Sequence, residues 1–348
     1  MDSLQKTRIT PELVKAIGEI DEFKGRWATL GNLAPERLRV LRRIATIESV
    51  GSSTRIEGVR LTDDEIERLL SGVQTQSFRT RDEQEVAGYA ELMELIFESY
   101  GDIPLTQNHI HQLHGILLKH SHKDERHRGH YKSLPNHVEA FDENGRSLGV
   151  VFETATPFDT PRLMEGLVNS TNRALAEGRN HPLLIAGNFV VRFLAIHPYQ
   201  DGNGRLSRSL TTLLLLRAGY SYVPYSSLER IVEDNKDQYY TALRRAQATL
   251  DSDESQLIDW LGFFIRCLMR QKKVLERKIE RERLVPPLAP LSEKLLSIVR
   301  ERGRVTVREA AVLTGANRNT IKDHLRRLVD GGRLTRRGRG RGSWYERP

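Results

Sequence analysis

The run His197-Pro198-Tyr199-Gln200-Asp201-Gly202-Asn203-Gly204-Arg205-Leu206-Ser207-Arg208 concentrates groups that could move a phosphoryl unit. Two glycines flank an asparagine just before an apolar helical stretch. Such a backbone can turn its N–H groups inward as an anion nest, with the positive end of a helix dipole behind it. Arg205 and Arg208 lie three apart in the first helical turn and share a face, which makes a phosphate clamp. Asp201 offers a hard oxygen ligand, and Mg²⁺ binds through few carboxylates together with phosphate oxygens. His197 can accept a proton near neutral pH. Base, metal ligand, nest and clamp together point to phosphoryl or nucleotidyl transfer. The competing reading is an ordinary helix–helix turn, since Gly, Asn and Asp favour turns. That reading leaves the coincidence of base, acid and two arginines unexplained.

These residues need helices on both sides, and the sequence supplies them. LLIAGNFVVRFLAI leads into the loop and LSRSLTTLLLL leads out. Apolar spacing predicts helices over about 162–177, 183–196 and 204–218, and another over 107–119 with Ile110, Leu113, Ile116 and Leu117 on one side. Upstream, Leu38, Val40, Leu41, Ile44 and Ile47 recur at helical spacing. Thr62 and Glu65 form a capping box. Thr160-Pro161 reads as N-cap and first helical residue. HVEAF and SLGVVF flank the turn DENGR and predict a β-hairpin with Asn144-Gly145 at its tip. A charged helix spans about 255–284, and VPPLAP (285–290) ends it as a linker.

The 348 residues are 38% hydrophobic and 29% charged, enough apolar material for a core and too much for a disordered chain. A single cysteine, Cys267, excludes an intramolecular disulfide. No apolar run approaches a membrane span, and the first residues lack the apolar segment of a signal peptide, so the expectation is a cytoplasmic protein with no membrane partner. The net charge of +8 is uneven: from Leu291 onward 15 Lys/Arg face 6 Asp/Glu, and the rest is close to neutral. A neutral body therefore carries a basic module suited to an anionic partner.

The string HPYQDGNGRLSR resembles the Fic motif, HPFx(D/E)GNGRxxR, with Tyr199 in the aromatic position. Resemblance runs from LHGIL (113–117) through RLMEGLV (162–168) to DNKDQYYTAL (234–243). It implies a mainly α protein whose Fic-type helical core, residues 96–250, transfers AMP from ATP to a hydroxyl side chain of a protein, the chain itself among the candidates. By position, His197 would be the base and Asp201 would hold Mg²⁺. Gly202, Asn203 and Gly204 would surround the α- and β-phosphates, Arg205 would hold the β-phosphate and Arg208 the γ-phosphate. Glycine at 204, where Doc-like kinases of the wider family have lysine, favours AMP transfer. Asn235 and Tyr240 match positions near the adenine, with a helix cap and a core aromatic as competing readings. The hairpin would be the flap that aligns a target chain by strand pairing. Lys132 departs from the usual Gly-x-Tyr-Arg pattern before it. Homodimerisation is compatible with the family.

Within residues 1–95, Ser53-Thr54-Arg55-Ile56-Glu57-Gly58 resembles the Fic inhibitory motif, (S/T)xxxE(G/N). Ser53 and Glu57 lie on one helix face. The resemblance implies that Glu57 pairs with Arg208 and denies it to the γ-phosphate; a solvated surface glutamate is the alternative. His109, His111 and His114 are close in sequence, but only His111 and His114 have helical ligand spacing, and the reading for His114 is packing. After a connecting segment (251–290), residues 291–348 resemble a winged helix-turn-helix, with Gly315 in the turn and Ile321, Leu325 and Leu328 inward. Arg318, Asn319, Lys322 and Arg326 are the candidate DNA contacts, with Arg333, Arg336, Arg337, Arg339 and Arg341 on or near the wing. Protein docking is the alternative use of such a module. Two rival functions stay open: a DNA-binding regulator whose Fic core only senses nucleotide, and a hydrolase that removes AMP with Glu57 positioning water.

Overall fold

A computed structural model describes residues 4, 7–30, 35–72, 78–141, 147–250, 252, 256–284, 289–338 and 340–347. The chain divides into two compact units, Met1–Ile279 and Glu280–Pro348. Described helices of the first unit are α1 (Pro11–Leu30), α2 (Pro35–Ile56), α3 (Asp63–Ser71), α4 (Arg81–Ser99), α5 (Gln107–Leu117), α6 (Thr160–Glu177), α7 (Pro182–Ile196), α8 (Asn203–Arg217), α9 (Leu228–Glu233), α10 (Lys236–Ala248) and most of α11 (Leu257–Leu284). One antiparallel hairpin, β1 (His137–Phe141) with β2 (Ser147–Glu153), stands between α5 and α6. The class is mainly α, as the sequence implies.

The core is built around α7 and α8. Leu183 through Phe193 of α7 are buried apart from Arg192, so this helix is enclosed on all sides. Helix α8 is equally buried, and it holds hydroxyls as well as leucines. Those hydroxyls are satisfied by its own backbone: Ser207 Oγ donates to the Gly204 carbonyl at 2.8 Å and Thr211 Oγ1 to the Ser207 carbonyl at 2.8 Å. Trp260 of α11 packs on α7 and donates from Nε1 to the Gly187 carbonyl at 2.7 Å. Side-chain caps start the surrounding helices. Thr62 with Glu65 and Thr80 with Glu83 form capping boxes, and Thr106 caps α5.

Two local expectations change. Helix α6 begins at Thr160, so Thr160 is its first residue and Asp159 the cap; Asp159 makes no side-chain cap bond because its carboxylate is engaged with Thr156 and Arg162. On α2 only Leu41 of the five periodic residues is buried. Val40 and Ile44 are exposed, because the helix buries its C-terminal half through Val50, Ser52, Ser53 and Thr54 instead. The tip DENGR and most of VPPLAP (285–288) lie outside the described residues, though the strands flanking the tip form as expected.

The second unit contains α12 (Pro290–Arg302), β3 (Arg304–Val305), α13 (Val307–Thr314), α14 (Arg318–Asp330), β4 (Thr335–Arg337) and β5 (Trp344–Glu346), in a sheet of order β3-β5-β4. Its own core gathers Leu295, Val299, Val305, Ile321, Leu325 and Leu328. Gly315 ends α13 in the left-handed conformation, φ 73°.

Candidate active site

The junction between α7 and α8 carries the site. His197 caps α7 with φ 51° and ψ 61°, the one non-glycine residue with positive φ among the described residues. Its N–H donates to the Phe193 carbonyl at 2.9 Å. A left-handed β-carbon costs on the order of 1–2 kcal/mol, and such strain gathers at functional positions. The neighbouring structure holds it there. Asn203 is buried and clamps the loop across itself, its Oδ1 accepting from the Tyr199 N–H at 2.9 Å and its Nδ2 donating to the Tyr199 carbonyl at 2.7 Å. Tyr199 is fully buried and stacks on His114 at 3.8 Å between ring centres. His114 Nδ1 accepts from the Gly129 N–H at 2.8 Å, so the neutral ring donates from Nε2 to the Asp201 carbonyl at 3.0 Å. Burial pushes the His114 pKa down to about 4, which keeps the ring neutral at pH 7. Its packing role is therefore also a loop-shaping one.

Gly202, the N-cap of helix α8, has φ 81°, a conformation that favours glycine, and no side chain caps the helix. The N–H groups of its first turn have no partner within the helix. Unpartnered N–H groups at the start of a helix are a geometry that suits an anion. Gly204 has a second role. A β-carbon there would lie 2.0 Å from Glu57 Oε1 and 3.3 Å from Arg208 Nη1, so only glycine lets both groups approach the start of the helix.

Arg205 and Arg208 already have anionic partners. Arg208 is buried; its Nη2 meets Glu57 Oε1 at 2.8 Å and its Nε donates to Ser53 Oγ at 2.9 Å. Nη2 also donates to the Ser53 carbonyl at 2.9 Å. Burial raises the Glu57 pKa, but Arg208 outweighs it and holds the carboxyl below its ordinary value. Arg205, 2% exposed, meets Glu85 Oε2 at 2.9 Å and Asp201 Oδ1 at 3.2 Å. Arg81 meets the same two carboxylates, Glu85 at 2.6 Å and Asp201 at 3.5 Å. A ring of two arginines and two carboxylates results. The sequence reading missed Arg81 and Glu85; their i, i+4 spacing on a well-capped helix was the available signal.

Among the described residues no three His, Cys, Asp or Glu side chains gather as a metal cluster. The donor set suits a metal that brings its own oxygens: Asp201 is part-exposed and ionised, its pKa raised by burial but lowered further by Arg205 and the Gly202 N–H. Mg²⁺ usually binds that way, through few carboxylates plus phosphate oxygens and water. His197 is the histidine of the same loop. Burial first, then the Lys132 charge, push its pKa down to about 4, so it is a neutral imidazole at pH 7.

The adenine candidates sit further along. Asn235 precedes α10 but makes no cap bond; its Nδ2 donates to the Ile231 carbonyl at 2.7 Å and its Oδ1 accepts from Arg270 at 2.7 Å. Tyr240 is half-buried, stacked edge-on against Tyr239 with Lys236 over its ring. In the second unit, Arg318, Asn319, Lys322 and Arg326 are all exposed on α14. Among the described residues no helix is long and apolar enough to cross a membrane.

Residues 104–215 match the Fic/DOC family. The chain carries a Fic/DOC domain. A Fido domain-containing protein from Dictyostelium discoideum is 37% identical over 101 residues, covering 28% of this chain and 66% of that protein. The protein adenylyltransferase Fic of Culex quinquefasciatus is 32% identical over 106 residues, 30% of this chain and 18% of that protein. The matched region thus spans just under two thirds of the first relative and less than a fifth of the second. A Fic domain containing signaling protein from Bacteroides thetaiotaomicron superposes with TM-score 0.61 at 25% identity, over 75% of this chain and 96% of that one. A Fic family protein from Desulfovibrio desulfuricans shares the fold with TM-score 0.66 at 23% identity, over 98% of this chain and 97% of that one.

Proposed function

We propose that the protein is a protein adenylyltransferase held off by its own Glu57. One observation carries the reading: a carboxylate occupies Arg208 beside the uncapped start of α8, the group and the place that a triphosphate would need. A target hydroxyl oxygen attacks the α-phosphorus of ATP. The bond from that phosphorus to the α,β-bridging oxygen breaks, pyrophosphate leaves with the electron pair, and the hydroxyl proton passes to His197. Arg205 and Arg208 hold the β- and γ-phosphates, and the first-turn N–H groups of α8 stabilise the charge that develops. Mg²⁺ held by Asp201 would supply charge neutralisation on the phosphates. The negative charge of bound ATP draws the imidazole pKa up from about 4 toward the range where a general base works best.

Glu57 denies Arg208 to the γ-phosphate, so ATP in the wild type lacks the anchor that aligns its α-phosphate. In this reading residues 1–95 carry the brake, 96–250 the chemistry and 251–290 the connection. Residues 291–348 form a winged helix-turn-helix that meets DNA through Arg318, Asn319, Lys322 and Arg326. Exposure of those four and the basic excess of the segment support that assignment. The test is α-labelled ATP with Mg²⁺, added to wild type and Glu57→Gly, alone and with cell lysate. Label on protein should rise in Glu57→Gly. Loss of protein-bound label that depends on Glu57 would favour AMP removal instead.

A further inference from the structure

Lys132 is the residue at which the sequence departs from its family pattern, and the structure gives it an unusual position. It is 4% exposed, and its three ammonium donors meet three acceptors. Nζ donates to Asn136 Oδ1 at 2.7 Å, to Thr154 Oγ1 at 2.8 Å and to the Ile196 carbonyl at 3.1 Å. Asn136 immediately precedes β1 and Thr154 immediately follows β2. Ile196 immediately precedes His197. The Lys132 backbone N–H donates to the Pro198 carbonyl at 2.8 Å, on the other side of the histidine. Asn136 Nδ2 adds a bond to the Tyr199 carbonyl at 2.8 Å, and Thr154 Oγ1 donates to the Asn136 carbonyl at 2.7 Å. One buried residue therefore ties both feet of the hairpin, through its ammonium and its backbone N–H, to the two carbonyls that bracket the strained residue at 197.

We propose that Lys132 is a positioning residue that locks the hairpin in register with His197, so that a chain paired along the hairpin presents its hydroxyl at a fixed distance from the imidazole. The proposal rests on the adenylyltransferase reading for its purpose, while the coupling itself stands on the geometry. The chemistry is selective. Hydrogen bonds from a charged donor are among the stronger ones in proteins, and a buried, satisfied network fixes one arrangement of the groups it joins. Methionine keeps the stem of Lys132 and loses all three Nζ bonds. Arginine keeps the charge with a planar fork that reaches fewer of the three acceptors at good angles. Thr154→Val removes only the β2 foot.

The experiment uses the full chain and two readouts. Backbone hydrogen exchange of residues 137–153 is measured in Lys132→Met, Lys132→Arg and Thr154→Val. Label transfer from α-labelled ATP is measured in the same variants combined with Glu57→Gly, alongside ATP affinity by calorimetry. Lys132→Met should exchange the hairpin about tenfold faster and lower transfer about tenfold, consistent with losing charged hydrogen bonds. ATP affinity should stay within about twofold, since no phosphate contact is touched. Lys132→Arg should recover part of both effects, and Thr154→Val should show a smaller loss of both. Unchanged hairpin exchange in Lys132→Met and Thr154→Val overturns the coupling. Transfer and ATP affinity falling together, without recovery in Lys132→Arg, reduces Lys132 to a general fold contact. If Glu57→Gly itself transfers no label, the adenylyltransferase reading fails, and hydrogen exchange still decides the coupling.

Discussion

Glu57→Gly should tighten ATP binding and leave ADP binding alone. Glu57 Oε1 lies 2.8 Å from Arg208 Nη2, with 8% of the arginine side chain and 32% of the glutamate side chain exposed. A γ-phosphate that takes Arg208 must first displace this carboxylate. Breaking a charge-assisted hydrogen bond costs about 1.5–3 kcal/mol, and the partial exposure of Glu57 argues for the lower half of that range. At about 1.4 kcal/mol per decade, the variant should bind ATP roughly 10- to 40-fold more tightly. ADP lacks the γ-phosphate and does not compete for Arg208, so its affinity should change by less than about twofold. Calorimetric titration of both nucleotides into wild type, Glu57→Gln and Glu57→Gly checks this. Glutamine keeps an acceptor and loses the charge, so it should fall between. Equal gains for ATP and ADP, or no gain for ATP, would refute the competition at Arg208.

Other expectations follow from the same geometry. Adding Arg208→Ala to Glu57→Gly should cancel the ATP gain, because the released group is the one removed; additive effects in a double-mutant cycle would contradict the pairing. The His114 pKa is lowered in the fold from 6.5 to about 4, so the unfolded chain binds the extra proton between those values and stability falls as pH drops through them. Denaturant unfolding at pH 5 against pH 7.5 should show about 2 kcal/mol of loss from this group. His197 acts in the same direction over the same window. The Lys132 pKa is pushed down by burial to about 8, so its charge is lost as pH rises through that value. A neutral amine has two donors for three acceptors, and hairpin protection corrected for intrinsic exchange should weaken above pH 8. Duplex DNA should bind residues 291–348 of the full chain with strong salt dependence, and Lys322→Ala with Arg326→Ala should lower the salt slope by about two.

Much of the site was legible because the chemistry is local. The residues from His197 to Arg208 are contiguous, and a loop between two apolar helices has few ways to fold. Ser53 and Glu57 were readable as one helix face, and both do touch Arg208. What stayed hidden depends on contacts distant in sequence. Glu85 reaches Arg205 across 120 positions, and no spacing rule links them. In the sequence Lys132 is a departure from the Gly-x-Tyr-Arg pattern before the hairpin, and only the fold brings Asn136, Thr154 and Ile196 to its ammonium. Asn235 was weighed as a cap, yet its side chain turns to Ile231 and Arg270. The α2 periodicity misled because the helix buries small polar residues near the site and leaves Val40 and Ile44 in solvent.

In the proposed reaction His197 is the base of AMP transfer to a protein hydroxyl. The most direct measurement is intact-mass and peptide mass spectrometry after incubating Glu57→Gly and His197→Ala/Glu57→Gly with ATP, Mg²⁺ and cell lysate. The account expects AMP on serine, threonine or tyrosine side chains in the first sample, reduced by a factor on the order of 10² or more in the second. AMP adducts that persist without His197 would contradict it.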